Sequence, residues 1–324
     1  MPKAKIISVI NYKGGVGKTT SAYHIACSLV QHHHKKVLLV DIDPQTNLTF
    51  LCADYEGWEQ FKKEHGTIAT LYRQYIVRSV MNTRSVIWKS PIKLANGETL
   101  ANLDLIPCDI DLLGDELGLD GSGAPFPTHQ PSAWAMEAFL RGRRFLVEAL
   151  KQVEDEYDYI LIDCPPNLYL LTQNALLASS AYLVTTIPDH LSTLGISTLQ
   201  GRIKSINSRV EAAQVFLGKT FGLYTIADLG GIVFVKVRES AYGVINLFGQ
   251  KMAEINRDFN GKCFPQHTTE LVGYSEASER RRPVWDCGSP GALRAAETKQ
   301  YQNITQTFLE RFHHNGQIKK VIKV

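Results

Sequence analysis

A doubly wound α/β fold, with a mostly parallel sheet and helices on both faces, is the class the sequence predicts. Short apolar, β-branched runs alternate with helix-length segments along the chain. Those runs are continuously apolar, as strands covered on both faces are, and do not alternate apolar with polar. With 324 residues, 44% hydrophobic and 21% charged, the chain can also bury a core of the size this class requires.

The elements follow in order. "IISVI" (6–10) reads as the first strand, and Thr19 to about Gln31 as a helix with Ala22, Ile25, Ala26 and Leu29 on one face. "KVLLVDID" (36–43) is the next strand, then "YDYILIDC" (157–164), "AYLVTTIP" (181–188) and "GIVFVKV" (231–237). Residues 52–100 are polar and mixed, with one helix expected around Ile68 to Val80, and read as a peripheral insertion. "GLDGSGAPFPTHQPSAW" (118–134) is a Gly/Pro loop too long for a simple connector. No repeat or linker divides the chain, so one domain is expected over residues 1–324.

The formal net charge of +3 names no partner, but its distribution is uneven. Residues 201–324 carry 18 Lys+Arg against 11 Asp+Glu, while the first 200 carry 17 against 21. A basic C-terminal part points toward a polyanion such as nucleic acid. The cysteines Cys27, Cys52, Cys108, Cys164, Cys263 and Cys287 lie far apart without a CxxC pair, which fits reduced thiols and not a disulfide framework or a zinc site. "MPKAKIISVI" has no signal-peptide h-region, and no apolar run approaches a membrane span, so a cytoplasmic protein is expected. The triple histidine in "QHHHKK" (31–36) cannot aim all its rings one way and reads as a solvated helix end.

The chemistry is concentrated in "NYKGGVGKTT" (11–20), between a strand and a helix. Backbone N–H groups of Gly14, Gly15, Val16, Gly17 and Lys18 can converge on an anion in such a turn. Lys18 would reach the β- and γ-phosphates of a nucleotide, Thr19 would ligate Mg²⁺, and Thr20 completes the loop. The general phosphate-loop pattern GxxxxGK[ST] asks for glycine where Tyr12 stands. Gly14-Gly15 move the flexibility two residues on, beside an additional lysine, Lys13.

This arrangement, xKGGxGK[ST], resembles the deviant Walker A loop of the ParA/MinD family of P-loop ATPases, closest to the short ParA/Soj type. The resemblance implies ATP and Mg²⁺ as cofactors, although Walker motifs alone do not separate ATP from GTP. It implies that Lys13 reaches across a nucleotide-dependent homodimer to the phosphates held by the other subunit. In "VDIDPQTN" (40–47) it makes Asp43 the carboxylate that positions or activates the attacking water, with Asp41 supporting the magnesium shell. Asp163 in "ILIDCPP" (160–166) takes the Walker B position, and Pro188 and Asp189 fall near the base or ribose. Val235-Lys236 stand where many relatives have Thr-Met or Asn, so base recognition stays open.

Few residues precede the first strand, so an N-terminal helix-turn-helix is not expected. The short branch of the family binds DNA without sequence preference once dimerised, which requires cations arrayed on a surface. Arg280, Arg281 and Arg282 are the first candidates, with Lys204, Arg209, Lys219, Arg238 and Lys251. The implied partners are DNA and a ParB-like or cargo-adaptor activator. A membrane-bound MinD-like reading rests on Phe308, Leu309, Phe312 and Ile318 in the tail, interrupted by Gly316. A redox reading would require Cys108 and Cys164 to hold an iron–sulfur cluster, without the glycine-rich surroundings such ligands have. A nucleotide-gated scaffold with little hydrolysis is a further alternative.

Overall fold

The computed structural model describes residues 3–112, 132–218, 224–240, 243–270, 272–287 and 292–313. The strands are β1 (Lys5–Ile10), β2 (Val37–Asp41), β3 (Leu103–Ile106), β4 (Tyr159–Asp163), β5 (Ala181–Thr186), β6 (Asp228–Val237), β7 (Glu239–Ser240), β8 (Gly243–Val244) and β9 (Cys263–Thr269). Among the described residues, seven of them form one sheet in the order β3-β2-β4-β1-β5-β6-β9, with every pairing parallel. β7 and β8 form a separate antiparallel ribbon. Every residue of β2, β4 and β5 is buried. That double-sided burial is why these strands read as unbroken apolar runs.

Helices cover both faces. They are α1 (Lys18–His33), α2 (Asn47–Cys52), α3 (Tyr55–His65), α4 (Ile68–Ile76), α5 (Ala133–Gly142), α6 (Phe145–Lys151), α7 (Leu170–Ala178), α8 (His190–Phe216), α9 (Asn246–Asp258), α10 (Val272–Arg280) and α11 (Ala292–His313). Ile25, Ala26 and Leu29 of α1 share one core layer with Tyr301, Ile304 and Phe308 of α11. The opposite layer is built from α4 through α9, with Leu71, Phe139, Leu146, Leu171, Ile203 and Ile255 among its members. Residues 52–100 feed both layers: Ile68 and Tyr72 enter the second, Ile92 and Leu100 the first.

Connectivity places the site. From β1 the chain passes through α1 to β2 on one side, while from β4 it passes through α7, on the opposite face, to β5 on the other side. The crevice this reversal opens lies beyond the C-terminal ends of β1 and β4, where open α/β sheets hold their ligands.

Some elements differ from the sequence expectation. α4 stops at Ile76, where Arg78 in the left-handed region (φ 57°) turns the chain. β3 and β9 were not expected. α1 ends at His33, with His34 left-handed (φ 52°) and its N–H donating to Val30 O, and Lys35 N–H donating to Leu29 O. The histidine run is thus a helix end. The tail candidates Phe308 and Phe312 are buried against the sheet, and Leu309 packs beside them, so this helical face is core and not a free apolar stripe. Gly230 makes room for it, since a methyl there would lie 2.6 Å from the Phe312 ring. Ile318 and Gly316 lie outside the described residues, as do Lys219 and residues 118–131. No helix among the described residues is long and apolar enough to cross a membrane.

Candidate functional site

The loop after β1 is tied down at its start. Asn11 is buried and donates its side-chain N–H to Thr185 O on β5 at 2.7 Å, while its Oδ1 accepts the Lys13 N–H at 3.1 Å. Gly15 (φ 72°) and Gly17 (φ 66°) adopt left-handed geometry that L side chains rarely take. Val16 is buried beneath them, and Gly14 and Gly15 are exposed with open space where a Cβ would stand. Gly17 is the N-cap of α1, so the loop runs directly into the N-terminus of a 16-residue helix. Unpaired amides and the helix dipole make that concavity suited to a phosphate.

The two lysines divide. Lys18, the first residue of α1, is buried, with Nζ 3.5 Å from Lys13 O inside the loop. Lys13 turns outward instead. Its Nζ pairs with Asp189 Oδ2 at 2.5 Å, and both side chains are substantially exposed, at 45% and 36%. Asp189 also caps α8, its Oδ1 accepting the Ser192 N–H at 2.9 Å and the Ser192 hydroxyl at 2.8 Å.

Three carboxylates meet at the strand ends. Asp41 and Asp163 are register partners on β2 and β4, both fully buried. Burial pushes the Asp41 carboxyl up to about 7, against the opposing hydrogen bonds from Thr49 and from the Asp43 amide. Burial pushes Asp163 well above the usual carboxylate range, and the charge of Asp41 adds to this. Thr19 and Lys18 lie close enough to oppose that rise, yet neither makes hydrogen-bond geometry with it. Both Asp163 oxygens are without a hydrogen-bond partner among the described residues. A buried carboxylate with two orphaned oxygens, beside a hydroxyl and a second carboxylate, is an oxygen donor set that fits Mg²⁺. Asp43, also buried, accepts the Gln45 N–H at 3.0 Å on Oδ1.

Beside Gly17 and Thr20 a pocket of about 250 Å³ opens, walled by Lys236, Thr268, Glu270 and Tyr274 among others. The Val235 side chain of β6 lies 3.6 Å from where a Gly17 Cβ would be, an ordinary van der Waals contact, so the left-handed backbone and not the space calls for glycine here. Lys236 is left-handed (φ 54°) and its N–H donates to Thr268 Oγ1 at 3.4 Å. This space adjoins the phosphate loop. Pro188 and Asp189 do not line it, because α8 starts from the end of β5 and carries Asp189 to Lys13 instead. Thr268, Glu270 and Tyr274 had no motif to announce them.

The basic candidates are dispersed. Arg280 donates Nη1–H to Cys287 O at 2.8 Å, Arg281 is left-handed (φ 52°), and the Arg282 N–H donates to Ala277 O at 3.1 Å. The run is therefore the C-terminal turn of α10, whose Tyr274, Ser275 and Ser278 wall the pocket. Lys204 and Arg209 are exposed on α8. Arg238 pairs with Glu270 at 3.6 Å, and Lys251, largely covered, with Glu254 at 2.7 Å. Cys108 and Cys164 are buried thiols pushed up by that burial, the reverse of exposed thiolate ligands.

A parallel sheet, a glycine loop opening a helix, and buried carboxylates at the neighbouring strand ends define a P-loop nucleotide-binding protein. Residues 4–215 match the AAA domain family model AAA_31. The chain is 31% identical over 290 residues to the sporulation initiation inhibitor protein Soj of Bacillus subtilis, covering 89% of this chain and 94% of that one. It belongs to the ParA/Soj family of P-loop ATPases. The fold is similar to that of a Cyanothece McdA variant in its ATP complex, with a TM-score of 0.66 at 18% identity, covering 96% of this chain and 98% of that one. It is also similar to a putative plasmid partition protein of Borrelia burgdorferi bound to AMPPNP, with a TM-score of 0.56 at 21% identity, covering 95% and 99%.

Proposed function

We propose that this chain is a slow, Mg²⁺-dependent ATPase that works as a timer for positioning DNA or another cargo. In this reading two copies close face to face on ATP, and Lys13 of each completes the other's phosphate site. The observation that carries it is the orientation of Lys13. Its ammonium group lies at the exposed rim, paired with Asp189, while Lys18 alone stays inside the loop. A cation that leaves its own cradle is available to a neighbour's triphosphate. Pairing two basic surfaces multiplies phosphate contacts, which raises affinity for DNA and steepens its salt dependence.

Within the site, the loop amides from Gly14 to Lys18 bind the phosphates, and Thr19, Asp163 and Asp41 would hold the metal. Bound Mg²⁺ would neutralise phosphate charge and orient the terminal phosphoryl group. Asp43 orients the attacking water and takes up its proton. Loss of the terminal phosphate releases the segments after Asp43 and Asp163, so the dimer opens and leaves DNA. A ParB-like or cargo-adaptor partner supplies what slow turnover lacks.

Lys13→Ala tests this reading. The variant is expected to bind ATP within a few-fold of wild type but to remain monomeric by light scattering with ATP and Mg²⁺. An ATP-dependent dimer of wild-type affinity in that variant would overturn the cross-subunit role.

A further inference from the structure

Among the links between residues 54–109 and the nucleotide site is one buried hydroxyl that bonds to both. Thr49 lies on α2, completely buried. Its Oγ1 donates to Asp41 Oδ2 at 2.7 Å, and its backbone N–H donates to the same oxygen at 2.8 Å. The other Asp41 oxygen accepts the Asp43 N–H at 3.1 Å. Asp41 thus does for α2 what the N-cap side chain does not, since Thr46 is left-handed (φ 57°) and makes no capping bond.

The same hydroxyl is also an acceptor. Thr49 Oγ1 accepts the Cys108 N–H at 3.0 Å, just beyond β3. Cys108 O accepts the indole N–H of Trp58 on α3, also at 3.0 Å. The adjoining residues fix α4: Pro107 O accepts the Ile68 N–H at 3.0 Å, and Asp109 accepts the Thr67 hydroxyl. A hydrogen-bonded line therefore runs Trp58, Cys108, Thr49, Asp41, Asp43. A hydroxyl suits the middle position because it can donate once and accept at the same time. Valine of the same shape would leave a buried amide and a buried carboxylate each one partner short.

We propose that Thr49 is a positioning residue for Asp43, coupling the 54–109 layer to the carboxylate that orients water. Fully buried, it acts through Asp41, which in turn holds the Asp43 amide. The proposal rests on the ATPase reading above for its kinetic consequence, but not for its structural one.

The test uses Thr49→Val, Thr49→Ser and Trp58→Phe in the full chain, with two readouts. The first is backbone amide exchange without nucleotide, which reports local opening. The second is ATP turnover together with the dissociation constant of a fluorescent ATP analogue. Thr49→Val is expected to speed exchange at Asp43 and Cys108 together. It is also expected to lower kcat about tenfold with analogue affinity changed no more than about threefold, the pattern of a misplaced group and not of lost binding. Thr49→Ser restores both. Trp58→Phe gives a smaller loss, and adding it to Thr49→Val gives little more, because the two lie on one line. Faster exchange at Cys108 with Asp43 unchanged overturns the coupling, as does failure of serine to rescue. If wild type does not hydrolyse ATP, the functional reading fails, while the exchange at Asp43 and Cys108 still decides the coupling. Should Thr49→Val not fold, Trp58→Phe against wild type carries the test: unchanged exchange at Asp43 refutes it.

Discussion

Acidification should weaken the native state through His24, and the size of the effect follows from its surroundings. The imidazole is fully buried on α1, with Nδ1 2.9 Å from Thr20 O and Nε2 accepting the Val284 N–H at 3.3 Å. It stacks on Tyr301 at 4.7 Å and meets the edges of Tyr23, Tyr274 and Trp285. Those bonds hold the neutral tautomer with its proton on Nδ1. A second proton would set Nε2–H against the Val284 N–H and bury a charge among aromatic rings. Burial accordingly pushes the pKa from 6.5 down to about 4. Because the folded value lies below the unfolded one, the unfolded chain binds more protons between them. The contribution of His24 to stability is complete above pH 6.5 and is lost as pH falls toward about 4. At about 1.36 kcal/mol per unit, the loss from about pH 7.5 to about pH 5 comes to about 2 kcal/mol. Asp41 and Asp163, with raised carboxyls, act in the opposite sense, so wild type alone gives a mixed signal. His24→Asn isolates the term, since asparagine keeps a donor for Thr20 O and does not titrate. Urea unfolding followed by tryptophan fluorescence at the two pH values gives the stability difference between wild type and variant. That difference should shrink by about 2 kcal/mol at the lower pH. An equal difference at both would refute the assignment of a neutral, buried His24.

Three further outcomes can be checked. Asp189→Asn keeps the α8 cap but frees Lys13; an exposed pair of this kind is worth at most about 1 kcal/mol, so the melting temperature should barely move while ATP-dependent dimerisation tightens up to about fivefold by sedimentation. Gly231→Ala drives a methyl into the Phe264 ring and should cost about 1–3 kcal/mol in a denaturant melt, with nucleotide affinity kept if the β6 end does not shift. Arg281→Ala and Arg282→Ala, sparing the Arg280 bond to Cys287, should each lower the salt slope of DNA binding by about one if they contact phosphates; unchanged slopes would move the DNA surface elsewhere.

What the sequence revealed depended on how local each signal was. β1, β2, β4, β5 and β6 were legible because burial on both faces leaves unbroken apolar runs. The phosphate loop was legible because glycines, lysines and threonine must be contiguous to wrap an anion. β9 was not, since "CFPQHTT" holds a proline and polar residues; it lies at the sheet edge, where a missing N–H and an uncovered flank are tolerated. Phe308 and Phe312 misled for a different reason: an apolar helix face has the same period whether a membrane or a sheet covers it.

The chain's own order of residues thus determined the fold class, the phosphate loop and the identity of its two lysines and three carboxylates. Tertiary structure alone decided their company. It brought Asp189 to Lys13, Thr268 and Tyr274 to the side of Gly17, Val284 to His24, and Cys108 to Thr49. The reason is physical: a motif is written by backbone constraints between neighbours, whereas a partner dozens to hundreds of residues away is chosen by which strand ends the sheet order sets side by side.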